Sequence, residues 1–254
     1  MMATAAPLQG SRALVTGASR GIGRGLARSL AEAGATVALC GRDEDLLRSL
    51  EGELAADGHT VVVAAFDVTN PDATSAAIDR AVASLGGLDI CVVNAGLGDN
   101  QPALEVTEDD WDRMMAVNLK GAFFTCQAAG RHMVSNGYGR IVVMSSQAGI
   151  VGIRDHAVYT TSKGGINAMI KVLALEWAPH GVTVNAVAPT FVYTPGTAER
   201  LDDPDYLKAV VERIPAGRVA TIDDVASAVV YLASPGSGMV NGTVLPVDGG
   251  WTAQ

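Results

Sequence analysis

The chain has 254 residues, of which 48% are hydrophobic and 18% charged, so it is long enough to bury one large core. Its net charge of -9 excludes functions that depend on clustered Lys and Arg, and we expect neither nucleic acid nor an anionic membrane as a partner. No stretch approaches the ~20 apolar residues that a membrane helix needs, and the N-terminus lacks the basic and apolar regions of a leader.

Three cysteines, Cys40, Cys91 and Cys126, stand in apolar segments, and no Cys or His spacing typical of a metal site accompanies them. Cysteines of this kind are typical of buried thiols in a reducing compartment. We therefore expect a cytoplasmic protein with neither a disulfide framework nor a metal site. Residues 1–9 precede the first strand and are expected to form a flexible N-terminus.

The first motif is a short apolar strand, residues 13–15, which runs into a glycine-rich turn and then into a helix ending at Gly34. The turn, residues 16–23, has the spacing Gly-x-x-x-Gly-x-Gly rather than the more common Gly-x-Gly-x-x-Gly. Such a turn lets backbone N–H groups approach a pyrophosphate at the positive end of a helix. The motif predicts phosphate binding, with a merely tight turn as the alternative.

A second strand, residues 36–40, ends close to Arg42, where dinucleotide-binding folds place an acid for the ribose 2′-hydroxyl. A guanidinium suits a 2′-phosphate instead, and Arg20 in the glycine turn adds a second positive charge. The two arginines favour NADP over NAD. Two alternatives stay open: Arg42 is a solvated surface residue, or Asp43 itself reaches the ribose.

Strands and helices continue to alternate along the chain. Residues 61–65 and 88–93 are predicted strands, separated by a helix over residues 71–85. Asp67 follows the first of these strands, where it either hydrogen-bonds an adenine amino group or only caps the next turn. The second strand ends in Asn-Ala-Gly, residues 94–96, whose small side chains let the backbone pass close to a planar ligand. The alternation predicts an α/β protein with a doubly wound parallel sheet flanked by helices.

The second half of the chain begins with a long predicted helix capped by Thr107. Asn118 lies inside it, and a mid-helix asparagine often bonds the backbone and distorts the helix, so a structural role competes with a functional one. Residues 140–144 and 182–187 are two further strands, and the second is followed by Pro189.

Residues 190–218 are rich in proline, charge and loop-forming residues and are the candidate substrate lid. Thr221 is predicted to cap a last helix, and residues 243–247 a last strand. Because no linker divides the chain, residues 1–254 are predicted to form a single domain.

Tyr159 and Lys163 are one turn apart on a predicted helix, residues 159–177, so their side chains share a face. Moving a phenol with a pKa of about 10 to about 7 requires roughly 4 kcal/mol of preferential stabilisation of the phenolate. One unit charge at about 5 Å and an effective dielectric near 20 contributes on the order of 3 kcal/mol, and an oxidised nicotinamide would add positive charge. The pair suits general acid/base catalysis, although the spacing also describes a half-buried ring beside a solvated charge.

In their order along the chain, these motifs resemble those of the short-chain dehydrogenase/reductase family of the classical type, from about Leu8 onward. The resemblance implies a Rossmann-like fold, an oxidoreductase activity without a metal, and a homotetramer formed by the helices around Asn118 and Tyr159 and by the region near Trp251. The segments that carry the resemblance are residues 16–23, Asp67, residues 94–96, Asn118, Ser146, Tyr159-x-x-x-Lys163, and Pro189 with Thr194.

The resemblance also implies a catalytic tetrad. Tyr159 would exchange a proton with the substrate oxygen, and Ser146, chosen over Ser145 by its spacing to the tyrosine, would hydrogen-bond that oxygen. Lys163 would bind the nicotinamide ribose and lower the pKa of the phenol, while Asn118 would hold a water of the proton relay. The residues expected to contact the cofactor are Gly17, Ser19, Arg20, Gly21, Ile22, Gly23, Arg42, Asp67, Val68, Asn94, Ala95, Gly96, Tyr159, Lys163, Pro189, Val192 and Thr194.

The chain departs from the family pattern after its sixth strand. The family commonly has Pro-Gly there, whereas this chain has Pro189 followed by Thr190. A β-branched threonine is confined to backbone regions that glycine need not obey, so the family pattern does not fix the backbone path beside the nicotinamide.

We therefore expect an oxidoreductase that transfers a hydride between NADP(H) and a carbonyl or secondary-alcohol substrate. One alternative is an NAD-dependent sugar or polyol dehydrogenase, which the polar Gln147, Arg154, His156 and Tyr193 near the expected mouth favour. The others are a reductase of 3-oxoacyl chains on an acyl carrier protein, and a dinucleotide-binding sensor without turnover.

Overall fold

Parallel strands form the centre of the protein. The computed structural model describes residues 6–254. Its strands are β1 Arg12–Thr16, β2 Thr36–Gly41, β3 Val61–Ala65, β4 Ile90–Val93, β5 Gly139–Met144, β6 Val182–Pro189 and β7 Val244–Val247. They lie in one sheet in the order β3-β2-β1-β4-β5-β6-β7, and every neighbouring pair is parallel. The predicted doubly wound parallel sheet is confirmed.

Helices cover both faces of this sheet. They are α1 Gly21–Glu32, α2 Glu44–Ala56, α3 Pro71–Leu85, α4 Glu108–Met115, α5 Ala122–Asn136, α6 Ala157–Trp177, α7 Ala198–Leu201, α8 Pro204–Val211 and α9 Ile222–Ala233. Leucines and valines of α1, α2 and α9 form the core on one face, and α3, α5 and α6 form it on the other. Because both faces are covered, the central strands are mostly apolar, and β4 and β6 are buried at every position, including Thr183 and Asn185 of β6.

The strand order indicates where the functional site of this fold lies. The chain leaves β1 for β2 and β3 on one side, then returns to pair β4 with the other edge of β1. Ligands of such sheets bind where this direction changes, at the carboxyl ends of the strands. The glycine turn after β1 and the segment after β4 both lie at this point.

Several helix boundaries agree with the capping signals in the sequence. Thr107 and Asp110 form a reciprocal capping box at the start of α4, and Thr221 with Asp224 forms another at the start of α9. Pro71 occupies the first turn of α3, where its missing N–H costs nothing. None of the helices in residues 6–254 is long and apolar enough to cross a membrane.

Both ends of the described chain are packed against the domain. Residues 1–5 lie outside the described residues, but Leu8 is fully buried and its N–H donates to the Ala33 carbonyl. Leu8 therefore completes the core beside α1. Trp251 is also buried, against Phe191 and under the guanidinium of Arg213.

Candidate active site

The turn between β1 and α1 needs glycine at two positions. Gly17 has a φ of +69°, and a Cβ there would lie 2.9 Å from the Asn94 amide nitrogen. A Cβ on Gly23 would overlap the Gly17 carbonyl. The Asn94 amide donates to the Thr16 carbonyl at 3.0 Å, which ties the end of β4 to the end of β1. No side chain caps α1, because Arg20 at its N-cap position makes no capping bond, so the first N–H groups of α1 are available to an anion.

A cleft of about 880 Å³ runs along the carboxyl ends of the strands. It brings together every site residue expected from the sequence except Asn118 and Val192. Those that line it are Gly17, Ser19, Arg20, Gly21, Ile22, Gly23, Arg42, Asp67, Val68, Asn94, Ala95, Gly96, Ser146, Tyr159, Lys163, Pro189 and Thr194. Val192 is buried and its backbone pairs with Ala220.

Two arginines and two aspartates lie in the cleft beside the glycine turn. Arg20 and Arg42 are loosely held, at 3.9 Å from Asp43 and 4.0 Å from Asp67, and their side chains are 73% and 69% exposed. Asp43 caps α2 by accepting the Leu46 N–H through Oδ1, and its Oδ2, 3.9 Å from Arg20, lies at the same cleft. Asp67 does cap the next turn, but through Oδ1 alone, and Oδ2 remains open to the cleft.

Tyr159 and Lys163 stand on the same face of α6, as expected. The ammonium nitrogen of Lys163 lies 5.7 Å from the centre of the Tyr159 ring and donates to the Met144 carbonyl at 2.7 Å. Burial lowers the pKa of Lys163 to about 8. Burial also raises the pKa of Tyr159, against the opposing effect of a hydrogen bond with Ser146. In the free protein, desolvation disfavours the charged form of both groups.

The two serines after β5 differ in what their hydroxyls do. Ser145 Oγ donates to the Asn167 side chain at 2.6 Å and so ties β5 to α6. Ser146 Oγ accepts the Ala148 N–H at 3.1 Å, and its hydroxyl bonds the phenol of Tyr159, whose pKa this bond lowers. Both residues line the cleft, but only Ser146 bonds Tyr159.

Asn118 lies in a π-helical turn, Ala116–Gly121, that interrupts the helix between α4 and α5. Its side chain accepts the Leu97 N–H at 2.7 Å and donates to the Leu97 carbonyl at 2.9 Å. The amide also donates to Ser162 at 3.2 Å, and Ser162 in turn donates to the Tyr159 carbonyl. The long helix capped by Thr107 therefore forms, and Asn118 distorts it locally into a π-bulge because its side chain bonds the segment after β4.

Threonine at position 190 does not disturb the backbone. Within residues 6–254, Asp155 is the one non-glycine residue with a positive φ, so Thr190 adopts an ordinary conformation. Its N–H donates to the Val247 carbonyl at 3.1 Å and continues the pairing of β6 with β7. A strand-like path accepts a β-branched side chain, so threonine fits the backbone at this position.

The sequence did not predict a smaller cavity beside Tyr159, and of the four polar residues expected near the mouth only His156 lines it. We name it the side cavity. Tyr193 instead points to Asp202, with a hydrogen bond of 2.8 Å, and Gln147 is buried. The capping signal at Thr107 predicts the start of α4, and Asp110, Arg113 and Met114 of α4 line the side cavity. The side cavity is lined by Asp99, Asn100, Gln101, Val106, Asp110, Arg113, Met114, Asp155, His156, Ala157, Val158 and Tyr159.

Comparison with known proteins identifies close relatives along the full chain. A family model described as enoyl-(acyl carrier protein) reductase matches residues 17–252. D-threitol dehydrogenase of Mycolicibacterium smegmatis is 41% identical over 249 residues, covering 97% of this chain and 95% of the relative. Gluconate 5-dehydrogenase of Gluconobacter oxydans is 39% identical over 247 residues, covering 97% and 96%.

Solved structures agree with these relatives. Gluconate 5-dehydrogenase from Burkholderia cenocepacia, solved in complex with NADP and tartrate, has a TM-score of 0.95 at 37% identity and covers 98% of both chains. A short-chain type dehydrogenase/reductase from Mycobacterium marinum has a TM-score of 0.92 at 36% identity, again covering 98% of both. The chain belongs to the short-chain dehydrogenase/reductase family of NAD(P)-dependent oxidoreductases.

Proposed function

We propose that the protein transfers a hydride between NADP(H) and a small hydroxylated carbonyl or secondary-alcohol substrate, with Tyr159 as the general acid and base. The observation that carries this proposal is the position of Tyr159, Ser146 and Lys163 in one cleft that continues to the glycine turn. The bound coenzyme supplies the hydride donor or acceptor, and the protein supplies orientation and proton transfer.

The residues of the cleft fit a dinucleotide. The uncapped start of α1 offers N–H groups to a pyrophosphate, and the side chains that Gly17 and Gly23 lack leave the backbone accessible. Asp67 Oδ2 suits an adenine amino group, and Ala95 and Gly96 form the wall beside it. Lys163 has two donors left after its bond to Met144, which suits the hydroxyls of the nicotinamide ribose.

Proton transfer is assigned to the hydroxyls at the other end of the cleft. In carbonyl reduction, Tyr159 donates its proton to the substrate oxygen, and the Ser146 hydroxyl, which bonds Tyr159 in the free protein, donates a hydrogen bond to the same oxygen. Because burial raises the pKa of Tyr159 in the free protein, the phenolate needed for alcohol oxidation requires the charge of Lys163 together with that of an oxidised nicotinamide. Asn118 acts by holding Leu97 and the first turn of α6 in position, and its place in a water relay remains part of the proposal.

The choice of NADP rests on Arg20 and Arg42. Both guanidiniums line the cleft with only loose partners, so they are available to a 2′-phosphate. Asp43, the candidate ribose ligand of an NAD enzyme, also lines the cleft, with Oδ1 capping α2 and Oδ2 3.9 Å from Arg20. The B. cenocepacia structure was solved with NADP, which supports the same choice. NAD remains the alternative that binding measurements test.

A sugar or polyol is the substrate class that the relatives support. Their names include gluconate 5-dehydrogenase, D-threitol dehydrogenase and L-xylulose reductase. The polar side cavity beside Tyr159 suits such a hydroxylated molecule. Residues 190–218 are proposed as the lid, because Thr194, Thr197 and Arg200 from this segment line the cleft.

We also propose a homotetramer in the cytoplasm. Trp111 on α4 and Val172 and Leu175 on α6 are large apolar side chains that are 42%, 53% and 78% exposed, which suits contact with a second copy. Cys40, Cys91 and Cys126 are buried free thiols, as is typical of a reducing compartment.

An absorbance assay at the reduced-nicotinamide band tests the proposal. The purified protein is mixed with NADPH and a panel of ketones and ketoses, or with NADP⁺ and the matching alcohols and polyols. Turnover of at least one carbonyl or alcohol is expected. Tight NADPH binding without turnover of any member would contradict the proposal and favour a dinucleotide-binding sensor, whereas turnover only of carrier-bound acyl chains would favour the acyl reductase.

A further inference from the structure

The side cavity continues the active site away from the cofactor cleft. It has a volume of about 110 Å³, whereas one water needs only ~10–15 Å³. Tyr159 and Asp99 line both the side cavity and the cleft. A substrate whose reacting carbon meets Tyr159 can therefore extend its other carbons into the side cavity. The groups on its walls then decide what those carbons may carry.

The walls of the side cavity carry an excess of negative charge. Three carboxylates line it, from Asp99, Asp110 and Asp155, and the one arginine is Arg113. Arg113 is already paired, at 2.7 Å from Asp99 and 3.6 Å from Asp110. Hydrogen bonds from Thr107 and Gln101 lower the pKa of Asp110 to about 2, so this carboxylate stays ionised at neutral pH. Asp155 has no ion-pair partner within residues 6–254.

Two of the other polar groups that line the side cavity offer hydrogen-bond acceptors. Asn100 Oδ1 is shielded from solvent and has no hydrogen-bond partner, while its amide nitrogen donates to the Gly98 carbonyl. His156 Nδ1 lies 2.6 Å from the Arg154 carbonyl and must donate to it, which leaves Nε2 of the neutral ring as an acceptor. Acceptors of this kind match the hydroxyl donors of a sugar or polyol.

We propose that the side cavity binds the hydroxylated end of an uncharged polyol or ketose and excludes sugar acids. This inference rests on the proposed function and narrows its substrate class. Hydroxyls donate to Asp155, Asn100 and His156, whereas the carboxylate of an aldonate meets acceptors and net negative charge without a free cation. Gluconate 5-dehydrogenases are among the relatives, so the inference separates this chain from some of them.

The preference for uncharged over anionic substrates is tested by comparing a polyol and an aldonate with the same number of carbons. kcat/KM is measured with NADP⁺ for threitol, xylitol and sorbitol and for the aldonates of four, five and six carbons. We expect the best polyol to exceed its matching aldonate by at least ~10-fold at low salt, with a smaller ratio at high salt because salt screens the repulsion. An aldonate preferred over its matching polyol would overturn the inference, and so would activity on simple alcohols with none on polyols. Either result leaves the oxidoreductase assignment intact.

Asp155→Asn removes one carboxylate from the side cavity. Asparagine tolerates the positive φ of 64° that Asp155 adopts, so this variant keeps the backbone. We expect the polyol-to-aldonate ratio of kcat/KM to fall by at least ~3-fold. Asp112→Asn is the matched control, since Asp112 lies on α4, is exposed and lines neither cavity. Equal ratios in the two variants would overturn the inference. Thermal unfolding of both variants verifies that each is folded.

Discussion

Replacing Arg42 with alanine tests the coenzyme assignment most sharply. Arg42 lines the cleft just after β2, and its nearest anionic partner is Asp67 at 4.0 Å. That contact is too long to hold the guanidinium in place, so the side chain is free to meet a 2′-phosphate. NADPH carries this phosphate and NADH does not. Arg42→Ala therefore removes a contact that only one of the two coenzymes can make.

The size of the effect follows from exposure. Two unit charges about 4 Å apart interact by ~1 kcal/mol in water and by ~4 kcal/mol at an effective dielectric of 20. Because the Arg42 side chain is 69% exposed, its interaction energy with the 2′-phosphate lies toward the lower of these two values. A hydrogen bond to a charged group adds to this within a usual net range of ~1.5–3 kcal/mol. We expect a loss of about 2 kcal/mol, or about 30-fold in Kd.

Fluorescence titration of NADPH and NADH measures both affinities for the wild-type protein and for Arg42→Ala. The Kd for NADPH is expected to rise about 30-fold while the Kd for NADH changes less than about twofold. Arg48→Ala is the control, because Arg48 is equally a surface arginine but pairs with Glu44 and Glu51 on α2 and does not line the cleft. Equal weakening of both coenzymes would refute the role of Arg42, as would a wild-type preference for NADH.

Two further predictions concern buried polar groups. Lys163 has a pKa of about 8 in the folded protein against 10.5 ordinarily. Between these two pH values the unfolded chain binds more protons than the folded protein, so the free energy of unfolding should rise by about 2 kcal/mol from pH 7 to 9.5. Denaturant titrations should show this contribution missing in Lys163→Met, and an unchanged pH dependence would contradict it. Ser146→Ala should lower kcat by ~10²–10³-fold with NADPH binding retained. Ser145→Ala should instead lower the free energy of unfolding by about 1 kcal/mol through the lost bond to Asn167 and leave kcat within about twofold. Measuring kcat and the free energy of unfolding of both variants distinguishes the two serines.

The parts of the fold that sequence predicts are those governed by local chemistry. Thr107 and Thr221 begin helices because each hydroxyl accepts the N–H three residues later, and both capping pairs are visible in the sequence. Pro71 marks the start of α3 for a similarly local reason. Alternation of apolar strands with helical patterns then leaves a parallel sheet as the simplest arrangement, with the glycine turn at the carboxyl end of β1.

The parts that sequence did not predict depend on contacts between distant segments. Asn118 forms a π-helical turn because its side chain bonds Leu97, 21 residues earlier, and no helix propensity encodes that partner. The side cavity needs residues from three segments, including Asp99 and Asp155, which are unremarkable loop aspartates in the sequence. Trp251 is similar, since its burial depends on Phe191, which lies 60 positions earlier.

Pre-steady-state reduction by Tyr159→Phe tests the central claim most directly. This variant keeps the ring and removes only the phenolic hydroxyl, so the rate of NADPH oxidation at saturating substrate is expected to fall by ~10²–10⁴-fold while the Kd for NADPH stays within about twofold. Tyr193→Phe provides the control, because Tyr193 is an exposed tyrosine whose hydroxyl bonds Asp202 instead of facing the cleft. A rate for Tyr159→Phe within tenfold of the wild type would contradict the assignment of Tyr159 as the proton donor.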